Sequence, residues 1–156
     1  MWDNSILKEI IRHSDSVLDL GCGNKMSYNG LVCRKYVGVD IWENARADVM
    51  HDLRHIPYPF DNKSFDVVTA LDCIEHLEKD EGKRMLEEME RIARRIMVIF
   101  TPEEFRDNRE NVYKEGLWST GNTYNIHHSL WSTKDFVGWD TLTYTDPGYL
   151  FYKKTL

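Results

Sequence analysis

The fold of this chain is decided by one short stretch, Val17-Leu18-Asp19-Leu20-Gly21-Cys22-Gly23-Asn24. Its first half is an apolar run that predicts a short buried strand. The two glycines that follow allow a sharp turn, in which the backbone can approach a ligand without an intervening Cβ. Because ligands of open α/β sheets bind at the carboxyl ends of the strands, the stretch predicts the first strand of such a sheet and one wall of a ligand site.

Apolar runs alternate with helical patterns along the rest of the chain, which is typical of an α/β fold with a largely parallel sheet. The further predicted strands are 36–40, 48–50, 65–71, 96–100, 141–144 and 149–153. The predicted helices are 2–13, 28–34 and 79–95, and a capped helix begins in 132–137. The last two strands are joined at Asp146-Pro147-Gly148, residue types that favour a turn.

Length and composition fit a single domain covering residues 1–156, with a short N-terminal helix in 1–15 and a substrate-side loop region in 103–131. The net charge of -6 argues against a nucleic-acid partner bound through phosphate contacts. The three cysteines suggest no disulfide framework and suit a reducing compartment. With no signal-like segment and no bilayer-spanning apolar run, we expect a cytoplasmic protein.

Carboxylates close three of the predicted strands, at Asp19, Asp40 and Asp72. A dinucleotide cofactor would need a third glycine where Met26 stands, and its phosphates would lie near the negative charge of Asp19. S-adenosylmethionine (SAM) has no phosphate and carries an ammonium group and a sulfonium, which acidic strand ends attract. The electrostatics therefore favour SAM over a nicotinamide dinucleotide, which an oxidoreductase would require.

The ordered set of motifs resembles the class I SAM-dependent methyltransferases. It consists of the stretch quoted above, Val37-Gly38-Val39-Asp40, Phe65-Asp66-Val67-Val68 and Glu75-His76-Leu77, and it covers about 16–101. The resemblance implies a Rossmann-like class I methyltransferase fold of the α/β class. Its mostly parallel seven-stranded sheet would end in a C-terminal antiparallel hairpin strand, which the two last predicted strands suit.

The resemblance also implies which residues surround the methionine part of SAM. Asp19 would lie near the amino group, through water. Gly21, Cys22 and Gly23 would wrap around the methionine moiety, and the Leu71 carbonyl would meet the ammonium group.

On the nucleoside side, the resemblance places Asp40 on the ribose hydroxyls and Ile41 against the adenine. Asp52 would contact the adenine amino group, with Leu53 beside the ring, although this segment also fits a solvated loop. Lys25 departs from the small residue of many relatives, which concerns the rim of the pocket.

Four side chains are candidates for handling a proton of the methyl acceptor: Asp72, His76, His127 and His128. Methyl transfer from a sulfonium is an in-line displacement, so a general base is needed only when the nucleophile must lose a proton. Residues 122–131 resemble a substrate-lining segment of small-molecule methyltransferases. The alternatives are that His76 is structural and that the two later histidines lie in a solvated surface loop.

We therefore expect an enzyme that transfers a methyl group from SAM to an O, N or C nucleophile of an unidentified, small-molecule acceptor. The alternative is a non-catalytic SAM-binding regulatory or partner subunit. Because the segment before the first strand is shorter than the lid of resembling enzymes, a large acceptor, a homodimer or a partner subunit would complete the pocket. No metal site is expected, since His51 and His55 have no third ligand at useful spacing.

Overall fold

The computed structural model describes residues 4–145 and 147–156. Its helices and strands are, in chain order, α1 (Ser5–Ile10), β1 (Ser16–Leu20), β2 (Lys35–Asp40), β3 (Val49–Met50), β4 (Phe65–Leu71), α2 (Lys79–Ile92), β5 (Ala93–Pro102), α3 (Arg109–Val112), β6 (Asp140–Thr143) and β7 (Tyr149–Thr155). Short 3-10 turns lie at Met26–Tyr28, Ile74–His76 and Thr123–Asn125.

The seven strands form one sheet in the order β3-β2-β1-β4-β5-β7-β6. The pairs from β3 to β5 are parallel, whereas β7 is antiparallel to both β5 and β6. The predicted fold class is thus confirmed, including the antiparallel C-terminal hairpin. The chain runs outward from β1 to β3 and then crosses to β4, so the strand order reverses between β1 and β4, where α/β sheets bind their ligands.

Helix α2 packs on the sheet through one apolar stripe. Met85, Met89 and Ile92 are fully buried at helical spacing along it. Gly82 continues this face, and a Cβ at that position would lie 2.3 Å from the ring of the buried Trp131. The glycine therefore lets the chain that follows β5 pack closely against the helix.

The predicted helix at 28–34 is wrong. The chain forms only the 3-10 turn at Met26–Tyr28 and then continues without regular structure to β2. Gly30 adopts a left-handed φ of 74°, which interrupts a helix. The carbonyl of Asn29 accepts a hydrogen bond of 2.8 Å from the side chain of Asn4, which replaces an intrahelical partner.

The predicted helix at 132–137 is also wrong. The Ser132 N–H donates to the Asp135 carboxylate, as in a helix cap, but only turns follow. Gly138, with a φ of 81°, ends the segment, and Phe136 stacks on Tyr152 at 4.1 Å between ring centroids. Tertiary packing of one aromatic ring has replaced the further turns that a helix would need.

Other boundaries differ by a few residues. Helix α1 is shorter than predicted, and residues 2–3 of that prediction lie outside the described residues, as does Asp146 of the predicted hairpin turn. Helix α2 ends at Ile92 because Ala93 is extended and pairs with Phe65 of β4. In residues 4–145 and 147–156, none of the helices has the length and apolarity needed to cross a membrane.

Candidate cofactor and acceptor site

A cleft of about 430 Å³ opens at the carboxyl ends of β1, β2 and β4, on the strand-order reversal. This volume is in the range of small-molecule sites, roughly 300–1,000 Å³. From the strand side it is lined by Gly21, Cys22, Gly23, Asn24, Met26, Ser27, Asp40, Ile41, Asp52, Leu53, Arg54, Leu71, Asp72, Cys73, His76 and Leu77. From the segment after β5 it is lined by Leu117, Trp118, Ser119, Asn122, Tyr124 and Asn125.

The glycine turn after β1 forms one end of the cleft. Gly21 and Gly23 adopt left-handed φ values of 71° and 49°. The N–H groups of Gly21 and Cys22 donate to the carbonyl of Val39 at 2.8 and 3.0 Å, which holds the turn against β2. A Cβ on Gly21 would lie 2.5 Å from the sulfur of Cys73, so this position accepts only glycine. The turn therefore brings bare backbone to the cleft, as predicted from the two glycines.

Cys22 serves packing rather than chemistry. Its sulfur packs against Gly38 of β2, where an added Cβ would lie 2.7 Å from the sulfur. Burial, with the nearby charge of Asp19, raises the pKa of its thiol to about 12, so the thiolate is absent at neutral pH.

Asp40 is fixed at the end of β2 by the backbone around it. Its Oδ2 accepts the N–H of Gly23 at 2.9 Å, and its Oδ1 accepts the N–H of Trp42 at 2.9 Å. Each carboxylate oxygen has two lone pairs, so both can accept a further donor from a ligand. A single side chain therefore orients the glycine turn and offers the cleft an oriented carboxylate.

Asp19 does not line the cleft and lies buried beneath the turn. Its Oδ2 accepts the Tyr36 hydroxyl at 2.8 Å and its Oδ1 accepts the Thr69 hydroxyl at 2.8 Å. Burial raises the pKa of Asp19 to about 7, despite these two hydrogen bonds. The structure thus separates Asp19 from the other predicted cofactor residues, and any link from its carboxylate to a ligand would be indirect.

The segment after β3 was predicted either to contact the adenine through Asp52 or to form a solvated loop, and the structure shows features of both. Asp52 lines the cleft but is also in a two-pronged ion pair with Arg54, with contacts of 2.7 to 3.1 Å. The Arg54 hydrogen bonds lower the pKa of Asp52. Leu53 is buried, and both Leu53 and Ile41 line the cleft. Lys25, questioned as a rim residue, instead binds Asp48 at 2.8 Å and is not among the lining residues.

Strand β4 delivers Leu71 and Asp72 to the cleft. The N–H of Asp72 donates to the Phe100 carbonyl at 2.8 Å, which extends the pairing of β4 with β5 by one residue. Asp72 itself has a left-handed φ of 53°, an uncommon conformation for a residue other than glycine. Asp72 and both of its neighbours, Leu71 and Cys73, line the cleft.

Glu75 ties the segment after β5 to the end of β4. Its carbonyl accepts the N–H groups of His128 and Ser129 at 2.8 and 3.1 Å, and its carboxylate accepts the Thr101 hydroxyl at 3.0 Å. Burial, and then the charge of Asp72, raise the pKa of the Glu75 carboxyl well above its usual range. Glu75 therefore joins β4, β5 and the segment after β5 at one end of the cleft.

The candidate histidines occupy three different positions. His76 lines the cleft, and burial lowers its pKa to about 4. His127 packs against it with ring centroids 4.9 Å apart, and burial lowers its pKa too. His128 is not a lining residue: its ring lies 3.4 Å from the carboxylate of Glu78. The structure therefore brings Asp72, His76 and His127 together and separates His128 from them.

The aromatic wall opposite the glycine turn was missed from the sequence. Trp118 lies over Gly23, where a Cβ would come within 2.7 Å of the indole, and its ring is 5.6 Å from that of Trp42. Arg54, with its guanidinium 5.7 Å from the Tyr124 ring, also lines the cleft and was missed. Trp118 could have been identified from the sequence, because it is a large aromatic residue between Gly116 and Gly121 in a mostly polar segment.

The lining fits a cationic nucleoside better than a phosphate-bearing one. Among the described lining residues, three carboxylates, of Asp40, Asp52 and Asp72, face one guanidinium, of Arg54. This acidic excess attracts an ammonium or sulfonium and repels a pyrophosphate. The turn after Gly23 leads into a three-residue 3-10 turn rather than a helix, so the helix N-terminus that dinucleotides use is missing there.

Solved structures of low sequence identity share this fold. They include a protein from Pyrococcus horikoshii OT3 with 16% identity and a TM-score of 0.65, covering 96% of this chain and 85% of that chain. A SAM-dependent methyltransferase from Thermotoga maritima has 15% identity and a TM-score of 0.63, covering 97% and 86%. Another, from Aquifex aeolicus, has 15% identity and a TM-score of 0.60, covering 99% and 89%.

No curated protein sequence matches the chain. The sequence model of the methyltransferase domain family matches residues 18–98, just over half of the 156 residues and the part that builds β1 to β5. With its sheet order and its acid-lined cleft at the strand-order reversal, this chain belongs to the methyltransferase domain family, whose members depend on SAM.

Proposed function

We propose that this protein transfers a methyl group from SAM to an oxygen, nitrogen or carbon nucleophile of a small molecule held between the ends of β1, β2 and β4 and residues 117–125. The observation that carries the proposal is the acid-lined cleft, which has a strand-built wall for the cofactor and a separate, aromatic wall. When bound, SAM supplies an electrophilic methyl group on its sulfonium.

The residues of the chain contribute mainly by positioning. Gly21 and Gly23 present backbone to the methionine part, and the Leu71 carbonyl accepts a hydrogen bond from the ammonium group. Asp40 accepts the ribose hydroxyls with its remaining lone pairs. Ile41 and Leu53 provide the apolar surface for the adenine, and holding both reactants in line supplies much of the rate enhancement.

On the acceptor side, Asp72 and His76 are the candidates that can touch a substrate, since both line the cleft. His127 acts behind His76, as its ring contact indicates. We propose no contact for His128, because its ring faces Glu78 instead. Where the acceptor atom carries no proton that must be lost, none of these groups has to act as a base.

A second subunit or the acceptor itself would complete the pocket. Met26, Leu117, Trp118 and Tyr124 line the cleft and are nonetheless between 44 and 51% exposed. Such an apolar rim is stabilised when a ligand or another surface covers it. Size-exclusion chromatography distinguishes the two: a dimer mass, with or without the demethylated product S-adenosylhomocysteine, indicates a second subunit, and a monomer mass leaves the acceptor to cover the rim.

The proposed function is tested by calorimetric titration with S-adenosylhomocysteine and, separately, with NAD. We expect saturable binding of the first and none of the second. Asp40→Ala should weaken binding by about 1–3 kcal/mol, which is roughly 5- to 150-fold, through loss of charge-assisted hydrogen bonds. Arg34→Ala, an exposed residue outside the cleft, is the matched control. Binding of NAD instead, or equal affinity of wild type and Asp40→Ala, would contradict the assignment.

A further inference from the structure

Three side chains that meet behind the cleft could hold a metal ion. Glu75, His76 and His127 each present a ligand atom, a carboxylate oxygen or a ring nitrogen, and all three atoms lie within 4.8 Å of one another. Glu75 and His76 lie in the 3-10 turn that follows β4. His127 lies in the segment after β5, whose next two residues donate backbone hydrogen bonds to the Glu75 carbonyl. The expectation of no metal site rested on the spacing of His51 and His55 and did not consider this cluster.

The carboxylate of Glu75 lacks a full set of partners. The residue is 2% exposed, and its Oε2 accepts the Thr101 hydroxyl. Its Oε1 has no hydrogen-bond donor among the described residues. The nearby charge is that of a second carboxylate, Asp72, which repels it. A buried carboxylate of this kind requires a cation or a shared proton, because its desolvation is otherwise uncompensated.

The ring of His76 has a related mismatch. Its Nδ1 lies 3.3 Å from the Ile126 carbonyl and its Nε2 lies 3.1 Å from the Asp72 carbonyl. A neutral imidazole carries one N–H, so only one of these contacts can be a hydrogen bond. The other nitrogen has a lone pair facing a carbonyl oxygen. An ion on that nitrogen would remove the mismatch, because a metal-bound histidine donates from one nitrogen to a carbonyl and binds the ion with the other.

We propose that Glu75, His76 and His127 bind a divalent first-row transition-metal ion, such as Zn²⁺, Co²⁺ or Mn²⁺, at the acceptor end of the cleft. Two imidazoles and a carboxylate are a ligand set that these ions take. Asp72 adds negative charge to the site. Because Asp72 and His76 line the cleft, an ion held by these three side chains would be accessible to a molecule bound there, as in catalytic rather than structural sites.

The first test is a calorimetric titration of the purified, chelator-treated protein with Zn²⁺ and with Mn²⁺, without SAM or any acceptor. We expect one saturable site per chain, and a Co²⁺ titration should develop the visible absorption of a nitrogen- and oxygen-ligated ion. Since no nucleoside is present, failure here leaves the proposed methyl transfer untouched. A wild-type protein that binds none of the three ions would overturn the proposal and leave a proton shared between Glu75 and Asp72 as the explanation.

Variants then locate the ion. His127→Ala removes a ligand while its backbone N–H still donates to Asn108, so the fold should persist, and metal affinity should fall tenfold or more. His128→Ala, the adjacent histidine, is the matched control and should bind the metal as wild type does. Glu75→Gln gives a second check, with far-UV circular dichroism showing that it folds. Equal losses in both histidine variants, or none in either, would exclude this site.

Discussion

The two walls of the cleft are built differently. The strand-built wall, which includes the glycine turn, Asp40 and Leu71, is held by backbone hydrogen bonds that continue the sheet. The loop-built wall, residues 117–125, pairs with none of the strands that the structure describes. It is held by single hydrogen bonds, from the Gly121 N–H to the Val112 carbonyl at 2.7 Å and from the Asn108 side chain to the Asn125 carbonyl at 2.6 Å. The strand-built wall is therefore a continuation of the sheet, whereas the loop-built wall is a separate segment that packs against it.

This difference indicates which wall should determine the choice of acceptor. The strand-built wall is predicted to contact the cofactor, which family members share, and its geometry follows from sheet pairing. The loop-built wall is half-exposed at Leu117 and Trp118, so its side chains can differ between relatives without unfolding the sheet. Changes in the strand-built wall should therefore alter folding and cofactor affinity, whereas changes in the loop-built wall should alter the selection of the acceptor.

The largest expected effect comes from Asp19, below the strand-built wall. Because its pKa is raised to about 7 in the folded protein, the unfolded chain releases this proton at lower pH than the folded one. Wild-type stability from this group is thus fully present below about pH 4 and is lost as the pH rises to about 7, by on the order of 4 kcal/mol. Asp19→Asn should flatten this dependence, as measured by urea unfolding across that range.

Asp66 is the matched control, with the opposite sign. Burial alone would raise its pKa, but the N–H and hydroxyl of Ser16, with Arg94, outweigh burial and lower the pKa to about 2. Its contribution is present above about pH 4 and is lost as the pH falls toward 2. Asp66→Asn should therefore leave the slope between about pH 4 and 7 unchanged. The same pH dependence in wild type and in Asp19→Asn over that interval would show that Asp19 is ionised in the fold.

The next effect tests how the chain that follows the loop-built wall packs against α2. Gly82→Ala places a Cβ 2.3 Å from the ring of Trp131, which is 1% exposed and has no room to move. We expect a loss of about 1–3 kcal/mol in the free energy of unfolding from overpacking, although alanine favours a helix. Lys83→Ala, on the exposed side of the same helix, should change stability by less than about 0.5 kcal/mol. Equal stabilities of the two variants would mean that Trp131 is free to repack.

The sequence was sufficient for the strand-built wall because sheet periodicity and turn chemistry are local. The apolar run at Phe65–Leu71 predicted β4 with its correct bounds, and the two glycines predicted the turn. The position of Asp19 could not be predicted, since which face of β1 its side chain takes depends on Tyr36 and Thr69 of neighbouring strands.

The loop-built wall was predicted only in outline, as a substrate-side region. Three of its lining residues, Asn122, Tyr124 and Asn125, lie in the segment singled out from the sequence, but Leu117 and Trp118 do not. Their placement depends on contacts with the glycine turn and Trp42, far away in the chain. The same dependence on long-range packing explains the two helices that were wrongly predicted.

The smallest expected effect distinguishes the two walls most directly. Trp118→Ala removes a ring contact with Trp42 and the cover over Gly23, worth about 0.5–1.5 kcal/mol. Since the strand-built wall is predicted to hold the cofactor, S-adenosylhomocysteine affinity in calorimetry should fall less in this variant than in Asp40→Ala. Trp118→Phe, which keeps an aromatic ring there, should bind as wild type does. Should Trp118→Ala weaken binding as much as Asp40→Ala, both walls would hold the cofactor and the division between them would fail.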